Sequence, residues 1–359
     1  EVTAKGAARW NEMLGRIEVE GCTDNKRTFY SCLYRSLLFP RKFYEVSAKG
    51  EIIHYSPYNG KIENGYMYTD TGFWDTFRSL FPLLNLLYPS VNAEIQEGLL
   101  NAYKESGFFP EWASPGHRNC MVGNNSASVI ADAYIKGIKV DDTATLYEGL
   151  IHATENVHPE VASTGRLGHE YYNRLGYVPC NAGIHENAAR TLEYAYNDWC
   201  ILQMAKKMGR PQEELDKWEK RSGNWKNVFD PSHNLMRGRK ADGTFQEPFS
   251  PYKWGGAFTE GNAWHLYLLR IVPEKLAINR NDFAAELQKN GIGISMHFIP
   301  LFNFTYWKEL YPNFTKENYP NAEKQYSNTI SIPLWPDMTD EMVELVINTV
   351  KAIGVANHA

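Results

Sequence analysis

The chain has little cysteine. Cys22, Cys32, Cys120, Cys180 and Cys200 are an odd number among 359 residues and form no C-x-x-C pair. That argues against a zinc site or a redox motif, and the thiols read as free and buried or half-buried. It also lacks excess positive charge. The 37 Lys and Arg are outnumbered by 42 Asp and Glu, for a net charge of −5. A phosphate backbone needs a basic field, so no nucleic-acid partner is expected. No apolar run reaches the ~18 residues of a membrane helix, so no membrane partner is expected. Phosphate-cradling glycine loops, H-E-x-x-H and G-x-S-x-G are all missing. His169-Glu170 and His185-Glu186 have no partner at ligand spacing, so no metal is expected there. The chain starts at Glu1 rather than Met. The expectation is a mature chain, an excised fragment or part of a longer reading frame, from which any leader has been removed.

What is present is an ordinary globular balance, 43% hydrophobic and 22% charged, with 10 Trp and 22 Tyr. The length suggests about two domains and suffices for a large core. From about residue 70 to 230 the pattern is helical. Phe73, Phe77, Leu80, Phe81, Leu84 and Leu87 recur at three- and four-residue steps, as do Leu192, Ala195, Trp199, Leu202 and Ala205. Gly209 closes the second helix, and Pro211 opens the next with Glu213 and Glu214 in its first turn. Long Gly-, Pro- and aromatic-rich loops separate the helices, an alternation that suits an α/α toroid. Near residue 265 the texture changes. Residues 265–271, 292–300 and 329–333 read as strands, and Arg280–Asn290 reads as a helix closed by Gly291. Thr339 caps a last helix with Val343, Val346, Ile347, Val350 and Ile353 on its buried face. The predicted fold is mainly α, an incomplete (α/α)6 toroid over 1–264 followed by a small α+β domain over 265–359.

Three segments could carry chemistry. Asp75, in Trp74-Asp75-Thr76-Phe77-Arg78, either favours a helix dipole and pairs with Arg78 or accepts sugar hydroxyls beside an aromatic wall. Trp112, in a Gly/Pro loop, either stacks on a pyranose or plugs a helical core. Glu260, in Phe258-Thr259-Glu260-Gly261-Asn262-Ala263-Trp264, is either a capping residue or a desolvated carboxyl able to donate a proton near neutrality.

These segments also carry a resemblance. Residues 1–264 resemble part of the glycoside hydrolase family 92 exo-α-mannosidases. The matching stretches include Gly72-Phe73-Trp74-Asp75-Thr76-Phe77-Arg78, Phe109-Pro110-Glu111-Trp112, Thr191-Leu192-Glu193-Tyr194-Ala195-Tyr196-Asn197-Asp198-Trp199, Phe229-Asp230-Pro231 and Thr259-Glu260-Gly261-Asn262-Ala263-Trp264. The resemblance implies inverting, calcium-aided hydrolysis of terminal α-mannosides. It makes Glu260 the general acid, with Asp75, Trp74 and Trp112 binding the mannose of a mannose-containing glycan. The family's N-terminal β-sandwich, its G-N-E-P-type calcium segment and its D-C-G-Q-M-S-A-W-type base segment do not occur here. From His265 the chain instead resembles the C-terminal domain of DegT/DnrJ/EryC1/StrS sugar aminotransferases. That resemblance rests on His297-Phe298-Ile299-Pro300-Leu301, Ser331-Ile332-Pro333-Leu334 and Met338-Thr339-Asp340-Glu341, among others. The lysine-bearing domain of those enzymes is absent, so no pyridoxal phosphate is expected.

The expectation is therefore a hybrid whose first part is an impaired α-mannosidase, periplasmic or secreted in a bacterium. The alternatives are a cytoplasmic sugar aminotransferase or a non-catalytic mannose-binding scaffold. If another residue supplies the base, Asp230 and Asp198 are the first to examine. The open side of the toroid should expose apolar helix faces, or the small α+β module should pack against them.

Overall fold

The computed structural model describes residues 1–249, 267–296, 299–335 and 337–359. The chain divides into two compact units, Glu1–Gly261 and Asn262–Ala359.

The first unit opens with α1 (Val2–Leu14) and α2 (Thr23–Ser36). Short strands follow: β1 (Arg41–Lys42), β2 (Glu45–Val46), β3 (Ile52–Tyr55), β4 (Ile62–Asn64), β5 (Tyr68–Thr69) and β6 (Thr71–Gly72). Then come α3 (Phe73–Thr76), α4 (Leu80–Leu87), α5 (Pro89–Ser106), β7 (Trp112–Ala113), α6 (Ser126–Ile135), α7 (Thr143–Glu155), α8 (His169–Leu175), α9 (Asn187–Met208) and α10 (Gln212–Ser222). The hairpin of β8 (Phe229–Asp230) and β9 (Leu235–Met236) completes the described part. Ten helices precede residue 250 among the described residues, short of a closed ring of twelve.

Local chemistry sets many of these boundaries. Gly209 takes φ +68° and closes α9, as the sequence pattern predicts. Pro211 stands at the cap of α10, whose first turn holds Glu213 and Glu214. The predicted continuous helix through Phe73–Leu87 is broken at residues 77–79. Ser79 leaves helical geometry at φ −145°. Arg78 lies 4.7 Å over both the Trp74 and Phe77 rings, contacts absent from a periodicity argument. The core runs through Phe81, Leu84, Tyr88, Leu99, Ile130, Leu150, Ile201, Met204 and Trp218. The long helix α9 packs against both α6 and α10. It buries Tyr194, Ala195, Asp198, Ile201 and Leu202, while Trp199, counted above with the periodic apolar set, is 48% exposed.

The second unit holds β10 (Tyr267–Arg270), α11 (Arg280–Lys289), α12 (Thr305–Leu310), α13 (Pro320–Asn328), β11 (Thr329–Ile332) and α14 (Asp340–Ala356). Strands β10 and β11 pair antiparallel, Tyr267 opposite Ile332 and Arg270 opposite Thr329. Gly291, at φ +78°, follows α11. The strand expected over 292–300 is reduced, among the described residues, to one bridge between Ser295 and Ser331. Thr339 Oγ1 accepts from the Met342 amide as the cap of α14. Of the face predicted to be buried there, Val346 and Ile353 are buried, whereas Val343 and Ile347 are more than a third exposed. All five cysteines are free; Cys22 and Cys32 are exposed rather than buried or half-buried, because α2 and its cap lie at the surface.

Candidate functional site

The site is built on a two-residue strand pair. In β6 and β7, Thr71 stands opposite Ala113 and Gly72 opposite Trp112. A Cβ on Gly72 would lie 2.8 Å from Trp112 Nε1 and 2.9 Å from Cδ1, so only glycine lets the indole lie on this strand. The next residue begins α3, and Trp74 and Asp75 follow within its single turn. The Phe73 amide also donates to the Glu111 carbonyl at 3.1 Å, fastening the start of α3 to the loop that carries Trp112. Gly72 and Trp112, forty residues apart, thus meet, and Trp74 and Asp75 follow two and three residues after Gly72. Asp75 is exposed, and Trp74 and Trp112 are half-buried.

Helix α9 supplies a carboxylate that the sequence reading did not single out. Glu193 Oε1 accepts from Trp74 Nε1 at 2.9 Å, and Oε2 accepts from Asn125 Nδ2 at 3.2 Å. Arg78 Nη2 lies 4.0 Å from Oε1. Its only sequence signal is its place in the Thr191–Trp199 motif. On the other side of the strand pair, Arg118 sits 5.9 Å over the Trp112 ring. The Cys120 thiol is pushed up chiefly by burial; Arg118 lowers it and the Asp75 carboxylate raises it further.

Beneath the site lies a buried polar chain. Glu111, which precedes Trp112, accepts from the Ser126 amide at 3.0 Å, Ser126 Oγ at 2.7 Å and Asn124 Nδ2 at 3.4 Å. Burial outweighs these donors and raises its carboxyl to about 8. Asn124 Oδ1 accepts from Arg166 Nε at 2.7 Å. Arg166 is paired with Asp198 at 2.7 Å, both fully buried. Asp198 also accepts from Tyr172 Oη and Arg221 Nε, each at 3.0 Å. Such a pair fixes geometry, and removing one partner strands the other charge.

Asp198 is thus enclosed by two guanidinium groups, and Asp230 is similarly occupied. Asp230 accepts from Ser232 Oγ at 2.6 Å, from Arg237 Nη1 at 2.8 Å and shares a 2.8 Å contact with His233 Nδ1. The Ser232 hydroxyl foremost, then Arg237 and His233, hold its carboxyl well below the usual range. A base needs a free lone pair and a pKa near the working pH. Asp230 has its carboxyl held down and both oxygens occupied, and Asp198 is ion-paired to two arginines inside the core, so neither is a ready substitute base. Glu260 lies in residues 250–266, outside the described residues. Calcium takes 6–8 oxygen ligands. Among the described residues no group of three or more His, Cys, Asp or Glu is placed to hold a metal ion.

Residues 1–273 match the family model for the glycosyl hydrolase family 92 catalytic domain. The chain belongs to this family. An inverting mannosidase of family 92 from Bacteroides thetaiotaomicron VPI-5482 is 51% identical, with a TM-score of 0.70 over 74% of this chain and 36% of that one. A family 92 α-mannosidase from Bacteroides thetaiotaomicron, solved in complex with mannoimidazole, is 31% identical, with a TM-score of 0.65 over 72% of this chain and 34% of that one. A protein of Arthroderma benhamiae described as an uncharacterized secreted glycosidase is 28% identical over 270 residues, 71% of this chain and 30% of its own. The chain spans about a third of the length of these family 92 relatives. The mainly α first unit agrees with the (α/α)6-toroid type of these neighbours. Residues 244–351 match the DegT/DnrJ/EryC1/StrS aminotransferase family, so the chain is a hybrid. No helix among the described residues is long and apolar enough to cross a membrane.

Proposed function

We propose that the chain carries the terminal-mannose platform and the general acid of an inverting exo-α-mannosidase, and that it turns over its glycan weakly or not at all. Asp75 accepts hydroxyls of the terminal mannose, Trp74 and Trp112 bound it with apolar faces, and Glu260 protonates the leaving oxygen. What supports this reading is the β6–β7 register, which lays Trp112 on Gly72, two and three residues ahead of Trp74 and Asp75. A pyranose offers an apolar face to an indole and equatorial hydroxyls to a carboxylate, and this arrangement meets both.

Impairment follows from the second carboxylate. Inversion needs an acid and a base ~6.5–9.5 Å apart with water between them. Asp198 and Asp230 are tied up by arginines, as described. A missing acid–base group costs typically ~10²–10⁴-fold. The family's calcium segment does not occur in the sequence, so calcium is expected neither to stabilise the chain nor to start turnover. The secreted description of the Arthroderma relative supports an extracytoplasmic setting.

The test is mannose release from α-mannobiose with and without calcium, beside Glu260→Gln. The expected result is release near background in all arms. Calcium-dependent turnover abolished by Glu260→Gln would mean that an intact base and metal site exist, and the impairment would be withdrawn.

A further inference from the structure

A groove of about 420 Å³ lies beside the platform, between the end of α3, the start of α4, α6 and α9. That volume is within the ~300–1,000 Å³ of small-molecule sites. Its chemistry comes from Phe77, Arg78, Asp132, Tyr196, Trp199 and Gln203. The Tyr196 and Trp199 rings are nearly parallel, 16° apart with centroids at 6.1 Å, and Phe77 adjoins Tyr196 at 5.2 Å. Tyr196 is 37% and Trp199 48% exposed. Both rings stay open on a helix that is otherwise deep in the core.

The polar groups around the row are those that grip hydroxyls. Asp132 accepts from Asn85 Nδ2 at 2.7 Å and Lys136 Nζ at 2.8 Å, both on Oδ2, which leaves Oδ1 as an acceptor. Gln203 offers both a donor and an acceptor. Arg78 joins groove to platform: its guanidinium lies 4.7 Å over Trp74 on one side and 4.7 Å over Phe77 on the other, while Nη2 faces Glu193. One planar cation therefore borders both surfaces.

We propose that this groove binds a further pyranose of the same mannose-containing glycan, stacked on Tyr196 and Trp199 and hydrogen-bonded by Asp132, Gln203 and Arg78. Continuity through Arg78 and the mixture of open rings with bidentate polar groups select a sugar over an apolar chain. This rests on the proposed function of the platform, and the experiment separates the two.

The full chain is titrated with α-linked mannotriose and with methyl α-mannoside, with binding read by ligand-observed NMR and tryptophan fluorescence. The triose should bind about tenfold more tightly. Trp199→Ala should remove that advantage and leave methyl α-mannoside affinity unchanged; the exposed position keeps the fold, checked by an unchanged Tm. Asp75→Asn should weaken both ligands. If Trp199→Ala leaves the triose affinity intact, the groove assignment fails and the platform stands. If Asp75→Asn changes nothing while Trp199→Ala abolishes triose binding, the groove stands and the platform reading fails. Binding of neither sugar by the folded wild type overturns both. A dimer seen by sedimentation that Trp199→Ala dissociates, with no sugar effect, would make the row a contact between copies and overturn the proposal.

Discussion

In the first unit polar groups are drawn inside and connected: Glu111, Asn124, Arg166, Asp198 and Arg221 form one hydrogen-bonded and ion-paired chain below the platform. In the second unit the core is small and apolar, centred on Ile271, Phe283, Leu287, Ile292 and Ile330, with Val346 and Ile353 of α14. Much apolar surface there stays outside. Tyr267, Trp335, Met342, Leu345 and Val355 are all well exposed. A groove of about 330 Å³ runs along β10 and α14, lined by Leu269, Ile332, Val343, Ile347 and Val350. The contrast teaches that the two parts were shaped under different constraints. The first keeps a wired interior that positions a surface site. The second leaves an apolar face uncovered among the described residues.

The largest effect should come from cutting the wired interior. Asp198→Ala leaves Arg166 buried without its anion and Arg221 with Glu155 alone, at about 3–5 kcal/mol. Hydrogen exchange read peptide by peptide should show lost protection in α6, α8, α9 and α10, with α11 and α14 unchanged. Equal loss in both units would mean that they unfold as one block, and the comparison would collapse.

The reciprocal cut is Leu287→Ala. Leu287 is fully buried in the second unit's core, and such a truncation costs about 2–5 kcal/mol. Because that core is small, β11 and α14 should exchange rapidly while α9 keeps its protection. Retained protection in α14 would show that it is held by something other than this core.

Acid offers a milder probe that acts in the first unit. His117 Nε2 contacts Ser106 Oγ at 3.0 Å, and its ring lies 4.8 Å from Tyr58 and 5.0 Å from His158. Burial first, then the neighbouring His158, lowers it to about 4. The unfolded chain therefore binds this proton more readily. Stability from His117 is complete above about 6.5 and is lost as pH falls toward 4, by at most about 3 kcal/mol. Glu111 acts in the opposite sense: its carboxyl, raised to about 8, contributes fully below its ordinary value and loses that contribution as pH rises through 8. The difference between wild type and His117→Gln isolates the histidine. Unfolding midpoints of the first unit should fall between pH 6.5 and 4.5 in wild type and fall less in the variant. Parallel curves would remove His117 as the cause.

How much of this was legible in the sequence follows the range of the forces. Gly209, Pro211 and Thr339 were readable because a helix end is decided within one turn. Trp199 was misread because α9 is packed on two sides, by α6 and α10, and a 3.6-residue period does not say which stripe stays open. Among the described residues of 292–300 only Ser295 finds a pairing edge, at Ser331, and alternation alone cannot supply one. The meeting of Trp112 with Gly72, just ahead of Trp74 and Asp75, depends on two strands of two residues each, too short to leave a pattern, so only the family resemblance pointed there. Glu193 was visible in a motif but not as a site residue, since its role comes from the indole and guanidinium that α3 and its following turn bring to it.

The smallest effect compares one helix cap in each unit. Thr339 Oγ1 accepts the Met342 amide at 3.3 Å at the start of α14. Thr339→Ala should cost about 1 kcal/mol, and a marginal unit should register it as a clear drop in its own midpoint. Asp142 caps α7 in the first unit, accepting the Thr145 amide at 3.1 Å and pairing with Lys104 at 3.1 Å. The Thr145 amide foremost, then its hydroxyl and Lys104, hold the Asp142 carboxyl below its ordinary value, so this cap weakens as pH falls through that lowered value. Thr339 carries no charge, but its hydroxyl is the foremost group holding the neighbouring Glu341 carboxyl below its ordinary value, so its contribution too falls as Glu341 is protonated. Measured at pH 7 and again at pH 3.5, both penalties should shrink, each read in the unfolding midpoint of its own unit. A penalty of either variant that appears in the other unit's midpoint would mean that the caps report a common unfolding event, and the separation between the units would fail at its finest scale.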